Sequence, residues 1–295
     1  MSFDAKPIAD ALTKLLSADN IVLLLATLVA AGGGAWAVQS VMNKKERRSE
    51  LRKELNATTA SMVLSYSIRN TFLNMKQDLV RPLRNRYVAE KQAFDQAVAE
   101  AKKPGAARIV HEIKADLQTL TMPRTPIETL ERHVFEKMTL NSRGQAAVLT
   151  LSGSIDTLRE AVAFRNKLVD EFRTSPGGAD ARTYLGTPDE RGVFDGRYSS
   201  TVEAIYSKTD DCIAFSGFAL EDIYERYKRL HARGRQLRLP VGPMAPPVDW
   251  AKAEGAGLIP PADQYKSWSS GFRKVETWSE RVKRRVWEFL KSIVR

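Results

Sequence analysis

Twenty-four consecutive residues, Asn20 to Asn43, carry no charged side chain. As a helix rising ~1.5 Å per residue, such a run reaches about 36 Å, enough to cross a hydrocarbon core of ~30 Å with some tilt. The run is therefore predicted to be a transmembrane helix. Ser17, Asp19 and Asn20 can cap its start, Trp36 lies toward the far interface, and Lys44, Lys45, Arg47 and Arg48 stop it abruptly. Residues 1–19 sum to −1 and residues 44–48 to +3. Because the more basic flank stays in the cytoplasm, the amino terminus is expected outside and the bulk of the chain inside, at the cell membrane. A cleaved signal peptide is the rival, since Ala35-Trp36-Ala37 has the small-x-small form of a cleavage site. The acidic, long leader argues against it. Within the segment, Ala26, Ala30 and Gly34 recur every four residues, and Gly33 and Ala37 do so on a neighbouring strip. Small residues at that spacing let two helices approach closely, which makes this face the candidate surface for a homodimer.

Beyond the segment the periodicity is helical. From Lys44 to Lys102 there is no glycine and one proline, and Tyr66, Leu73, Val80, Tyr87 and Phe94 recur every seven residues. Pro82 predicts a kink over Gln77 to Pro82. Ile109, Ile113, Leu117 and Leu120 suggest a shorter helix. Thr125-Pro126-Ile127-Glu128 reads as a capping box opening another, with Ile127, Leu130, Val134 and Met138 inward. The clearest heptad is Val148, Leu151, Ile155, Leu158, Val162, Arg165, Val169 and Phe172. Its one charge, Arg165, is expected to lay its stem on the core with the guanidinium in water; the alternative is a buried charge awaiting an acidic partner. Residues 174–199 form a loop rich in Gly, Pro, Asp and Arg, longer than usual connections and hence a candidate site. A last bundle helix, from about Thr201 to Arg233, turns inward Val202, Ile205, Thr209, Cys212, Ser216, Ala219, Ile223, Tyr227 and Leu230. Cys212 on that stripe reads as a buried, unreactive thiol.

Composition shifts after Arg235. Six prolines between Pro240 and Pro261 suit a stiff spacer. From Gln264 to Arg295 nine basic residues against three glutamates supply +6 of the chain's +11 net charge. Here Trp268, Phe272, Arg273, Lys274, Trp278, Arg281, Lys283, Arg284, Arg285 and Trp287 combine a basic polar face with an aromatic-rich apolar one, the pattern of a helix lying in a membrane interface among anionic headgroups. Packing of this helix on the bundle or on a partner is the alternative. Nucleic acid fits poorly, because a bulky apolar face suits it badly and no DNA- or RNA-binding motif is present.

These readings predict an all-α fold: an amino-terminal single transmembrane helix continuing into a long helix of an antiparallel helical bundle, with a separate carboxy-terminal amphipathic helix. The segments are an extracytoplasmic terminus (1–19), the span (20–43), the bundle (44–235), a Pro-rich linker (236–262) and the basic helix (263–295). One cysteine and three histidines, His111, His133 and His231, offer little for a metal centre or a His-dependent triad. There is no Walker loop, GxGxxG, GxSxG, HExxH or CxxC. No cofactor, metal or catalytic residue is assigned. The expected role is a non-enzymatic scaffold or adaptor that holds a protein partner at the bilayer. A transmembrane sensor working through the long helix comes second, and an enzyme with a site in the 174–199 loop third.

Overall fold

The computed structural model describes residues 18–103, 112–175, 181–188 and 192–272, with the backbone alone described for 18–38 and 181. Among them the regular structure is all helix, with no strand. The order is α1 (Ala18–Met75), a π-helical turn (Lys76–Val80), α2 (Arg81–Ala101), α3 (Ile127–Arg132), a second π turn (His133–Lys137), α4 (Ser142–Thr174), α5 (Ala181–Leu185), α6 (Arg197–Gln236), α7 (Ala251–Gly255), a 3₁₀ turn (Ala262–Tyr265) and α8 (Lys266–Ser270). Among the described residues no helix is long and apolar enough to cross a membrane. The uncharged segment is helical backbone inside α1, but its side chains are described only from Gln39 onward.

The chain divides into two compact units, Met1–Leu55 with Leu230–Gly242, and Asn56–Arg229 with Pro243–Arg295. The larger unit is built on the two predicted stripes. On α4, Val148, Leu151, Ile155, Leu158, Val162, Arg165, Val169 and Phe172 are all buried, as are all nine inward positions of α6. Fully burying a Leu or Ile contributes about 1.5–3 kcal/mol, so these stripes dominate the fold's stability. Around Lys76 the π turn falls where a kink was predicted. Pro82 has no N–H for the carbonyl four residues back, and the ladder widens just before it. On α1 the inward face includes Ile68, Phe72 and Leu73 and buries Arg69, as the π turn after it buries Lys76, while Tyr66 of the predicted seam stays 40% exposed.

Three local expectations are corrected. Residues 112–126 form no helix. Ile113, Ala115 and Leu117 instead turn inward with the alternation of an extended chain, onto a second cluster of Tyr87, Phe172, Tyr184 and Tyr198. The Thr125 capping box does not form either: α3 starts at Ile127 without a side-chain cap. Yet Ile127, Leu130, Val134 and Met138 are buried as expected. Finally, Arg165 is completely buried, and its partners are not acidic.

Residues 243–272 lie along the larger unit. Trp250, Leu258, Tyr265 and Trp268 join its main core cluster, and Pro260 is buried. The Lys76 ammonium donates to the Leu258 carbonyl (2.9 Å), Arg81 to that of Ala256 (2.7 Å) and the Tyr224 hydroxyl to that of Ala245 (3.1 Å). Proline removes donors from this segment, so the bundle supplies them to its carbonyls.

In the smaller unit Leu51, Leu230 and His231 are buried, and the His231 Nε2 lies 2.8 Å from the Gly242 carbonyl oxygen. Helix α6 ends there in a Schellman turn, with Leu239 N–H donating to Gly234 O (2.9 Å) and Arg238 N–H to Arg235 O (3.0 Å). Arg238 occupies the left-handed position, at φ 53°.

Candidate functional site

Three polar arrangements stand out against the apolar core. The first is where α1 leaves the uncharged segment. Gln39, Ser40, Asn43, Lys44 and Arg47, one to two helical turns of a single face, line with Leu237 a cavity of about 380 Å³. Every one of the α1 residues is exposed. Exposed Arg233, Arg235 and Arg238 belong to the same unit. Amide and hydroxyl groups beside two cations suit an anionic group that also accepts hydrogen bonds.

The second lies between the π turn and α6. Lys76, 1% exposed, pairs with Asp210 at 2.5 Å and lies 5.1 Å from the Tyr206 ring centre. Lys76 also donates to the Leu258 carbonyl at 2.9 Å, so one ammonium ties the carboxylate to the extended segment. Burial pushes the Asp210 carboxyl above the usual carboxylate range, and Lys76 pulls it partly back. Next to it Asp211 accepts from Lys208 (2.8 Å) and from the Tyr265 hydroxyl (3.1 Å). The pair is buried and, with Asp211, fastens Leu258 and Tyr265. Cys212, one residue on, is fully buried, which drives its thiol far above the ordinary range and leaves it inert.

The third is the fastening of the extended segment. Arg165 donates to Gln118 O (2.6 Å), Asp116 O (3.1 Å) and the Tyr198 hydroxyl (3.1 Å). Asn166 both donates to and accepts from the Leu120 peptide, at 2.8 and 2.9 Å. Arg86 pairs with the Asp116 carboxylate at 2.8 Å. Backbone that pairs with no strand or helix thus finds its partners on α4, on α6 and on α5, where the Tyr184 hydroxyl accepts the Asp116 N–H at 3.0 Å. Burial raises the Tyr184 and Tyr198 hydroxyls above their ordinary range, so both remain neutral hydrogen-bonding groups.

Of the residues singled out by sequence, Ala26, Ala30, Gly33, Gly34 and Ala37 sit on the backbone of α1 with their side chains outside the described residues. Among the interface candidates, Trp268 stacks on Phe218 (centroids 5.3 Å, 13°) and meets Phe215 edge-on, while Phe272 packs on Trp268 at 4.9 Å. Arg273, Lys274, Trp278, Arg281, Lys283, Arg284, Arg285 and Trp287 lie outside the described residues. The described part of the 174–199 loop holds the short helix α5 and buries Tyr184, Leu185 and Thr187. Among the described residues no group of three or more His, Cys, Asp or Glu could hold a metal ion. Sequence patterning misses the burial of Lys76 and Arg69, because long charged side chains are rarely inside. No protein-family model, curated protein or solved structure matches the chain.

Proposed function

We propose that the chain is a single-pass, membrane-anchored helical scaffold or adaptor, amino terminus outside, that holds protein partners at the cytoplasmic face of the membrane. The observation that carries this reading is the continuity of α1. One unbroken helix, Ala18–Met75, starts just ahead of the uncharged segment, runs through it, passes the exposed cations Lys44, Lys45 and Arg47, and ends among the buried Ile68, Phe72 and Leu73. A bilayer anchor so joined would present the larger unit at the surface. The cavity beside Lys44 and Arg47 and the basic residues 273–295 suit anionic headgroups, each cation near such a leaflet contributing ~1 kcal/mol.

Extraction of cell membranes at alkaline pH tests the anchor. The full chain should stay in the pellet, and a chain lacking residues 20–43 should move to the supernatant; release of the full chain contradicts the reading. Tail binding is tested on anionic liposomes. It should weaken as salt rises and vanish when Arg281, Lys283, Arg284 and Arg285 are all replaced by Glu.

A second reading, a transmembrane sensor, draws on one feature: α1 also supplies Met62 and Arg69 to a cleft in the larger unit. Signalling would need two discrete arrangements of that helix. A ligand of the cleft should then change the labelling rate of a cysteine placed at Ser40, and an unchanged rate sinks the idea.

A further inference from the structure

Arg69 is 9% exposed, and among the described residues no carboxylate lies within ion-pairing distance of it. Its Nε has no hydrogen-bond partner. What holds the guanidinium is aromatic: its carbon sits 4.4 Å from the centre of the Trp250 ring, which also packs on Tyr66 at 5.5 Å. Burial works against its charge, with Glu221 and Glu254 opposing that loss only from a distance. Arginine nonetheless stays protonated in proteins, so this is a buried cation without a counter-ion, a costly arrangement unless an anion completes it.

The surroundings are shaped for one. The guanidinium faces a cleft of about 230 Å³ where Pro246 to Trp250 cross α1 and α6, walled by Met62, Leu220, Tyr224 and Trp250. Gly217 forms its floor. A Cβ there would lie 3.1 Å from the guanidinium carbon and 3.2 Å from both terminal nitrogens, so a bare backbone in mid-helix is what gives the fork its place. Size and charge narrow the ligand. At ~30 Å³ per water the cleft has room for about eight water-sized groups, below the usual drug-sized range of ~300–1,000 Å³. Glu221 at the rim, 61% exposed and paired with Arg143 at 3.3 Å, disfavours a dianion but tolerates a single negative charge.

We propose that this cleft binds a small monocarboxylate, its carboxylate on the Arg69 fork and its apolar or aromatic body between Met62, Trp250 and the Pro246–Pro247 wall. Two parallel N–H···O bonds supply the recognition, and the Trp250 face supplies the packing.

The test uses the full chain in lipid nanodiscs, titrated calorimetrically with benzoate and phenylacetate. Benzamide and benzyl alcohol serve as neutral counterparts and inorganic phosphate, at a pH well above its second ionisation, as the dianion. Saturable binding of the carboxylates is expected, about tenfold or more tighter than the neutral compounds and phosphate, together with a melting temperature that rises with benzoate concentration. Arg69→Gln should abolish it. Gly217→Ala, whose Cβ would meet the guanidinium at 3.1 to 3.2 Å and push the fork out of register, should weaken it about tenfold, and it carries the test if Arg69→Gln melts too low to measure. No saturable binding of either carboxylate up to about 10 mM overturns the proposal, as does binding of benzamide or binding by Gly217→Ala equal to the wild-type carboxylate affinity.

Discussion

Removing the completely buried Arg165 guanidinium would take its donors from the part-buried carbonyls of Gln118 and Asp116, the second of which keeps the Tyr198 hydroxyl at 3.2 Å. An unsatisfied buried acceptor costs about 1–3 kcal/mol, so Arg165→Met is expected to lower the unfolding free energy by about 2–4 kcal/mol in urea. Arg159→Ala, on the same helix but in an exposed pair with Asp156, should change it by no more than about 0.5 kcal/mol. Similar losses for both would contradict the burial argument. Asp210 gives a pH signature. Its folded pKa is raised, so the native state holds a proton that the unfolded chain has already released; its contribution is greatest below the ordinary carboxylate range and declines as pH rises through the folded value. Asp210→Asn should flatten that decline in the unfolding free energy, and an unchanged slope would assign it elsewhere. Neither residue's surroundings were legible in sequence. The Arg165 partners are two main-chain carbonyls some fifty positions earlier and the Tyr198 hydroxyl on another helix, and a heptad pattern records only that one position is not apolar.

Helix faces were legible on α4 and α6, and less so on α1, where the seam residue Tyr66 stays exposed and Arg69 is buried. The α4 and α6 stripes follow because burial there repeats with the helical period, and Cys212 takes its buried place from that register alone. The segment 112–122 misled because Ile113, Leu117 and Leu120 fit a helical face, whereas the alternate trio Ile113, Ala115 and Leu117 is what packs. Side chains on three helices supply its backbone partners, a cause with no local signal. The Pro-rich stretch was read from its backbone chemistry, but Trp250, Tyr265 and Trp268 decide where it lies. At the end of α6, Arg238 stands in the left-handed position that favours glycine. Arg238→Gly should therefore stabilise the smaller unit by about 0.5–1 kcal/mol, seen as slower amide exchange near residue 239. Faster exchange would show that the arginine side chain holds the turn.

For the whole molecule the central claim is that the amino-terminal end of α1 lies in a bilayer, with the larger unit on its cytoplasmic side. The uncharged run, the charge difference across it and the unbroken helix Ala18–Met75 point the same way. Cys212 is the chain's single thiol and is buried, so a Cys212→Ala background can report topology with one introduced cysteine at a time. The most direct measurement places cysteines singly at Ser17 and Ser175 and exposes intact cells to a membrane-impermeant thiol reagent, with lysed cells as the reference. The account predicts that Ser17→Cys labels in intact cells and Ser175→Cys labels only after lysis; labelling of Ser175→Cys in intact cells would contradict it.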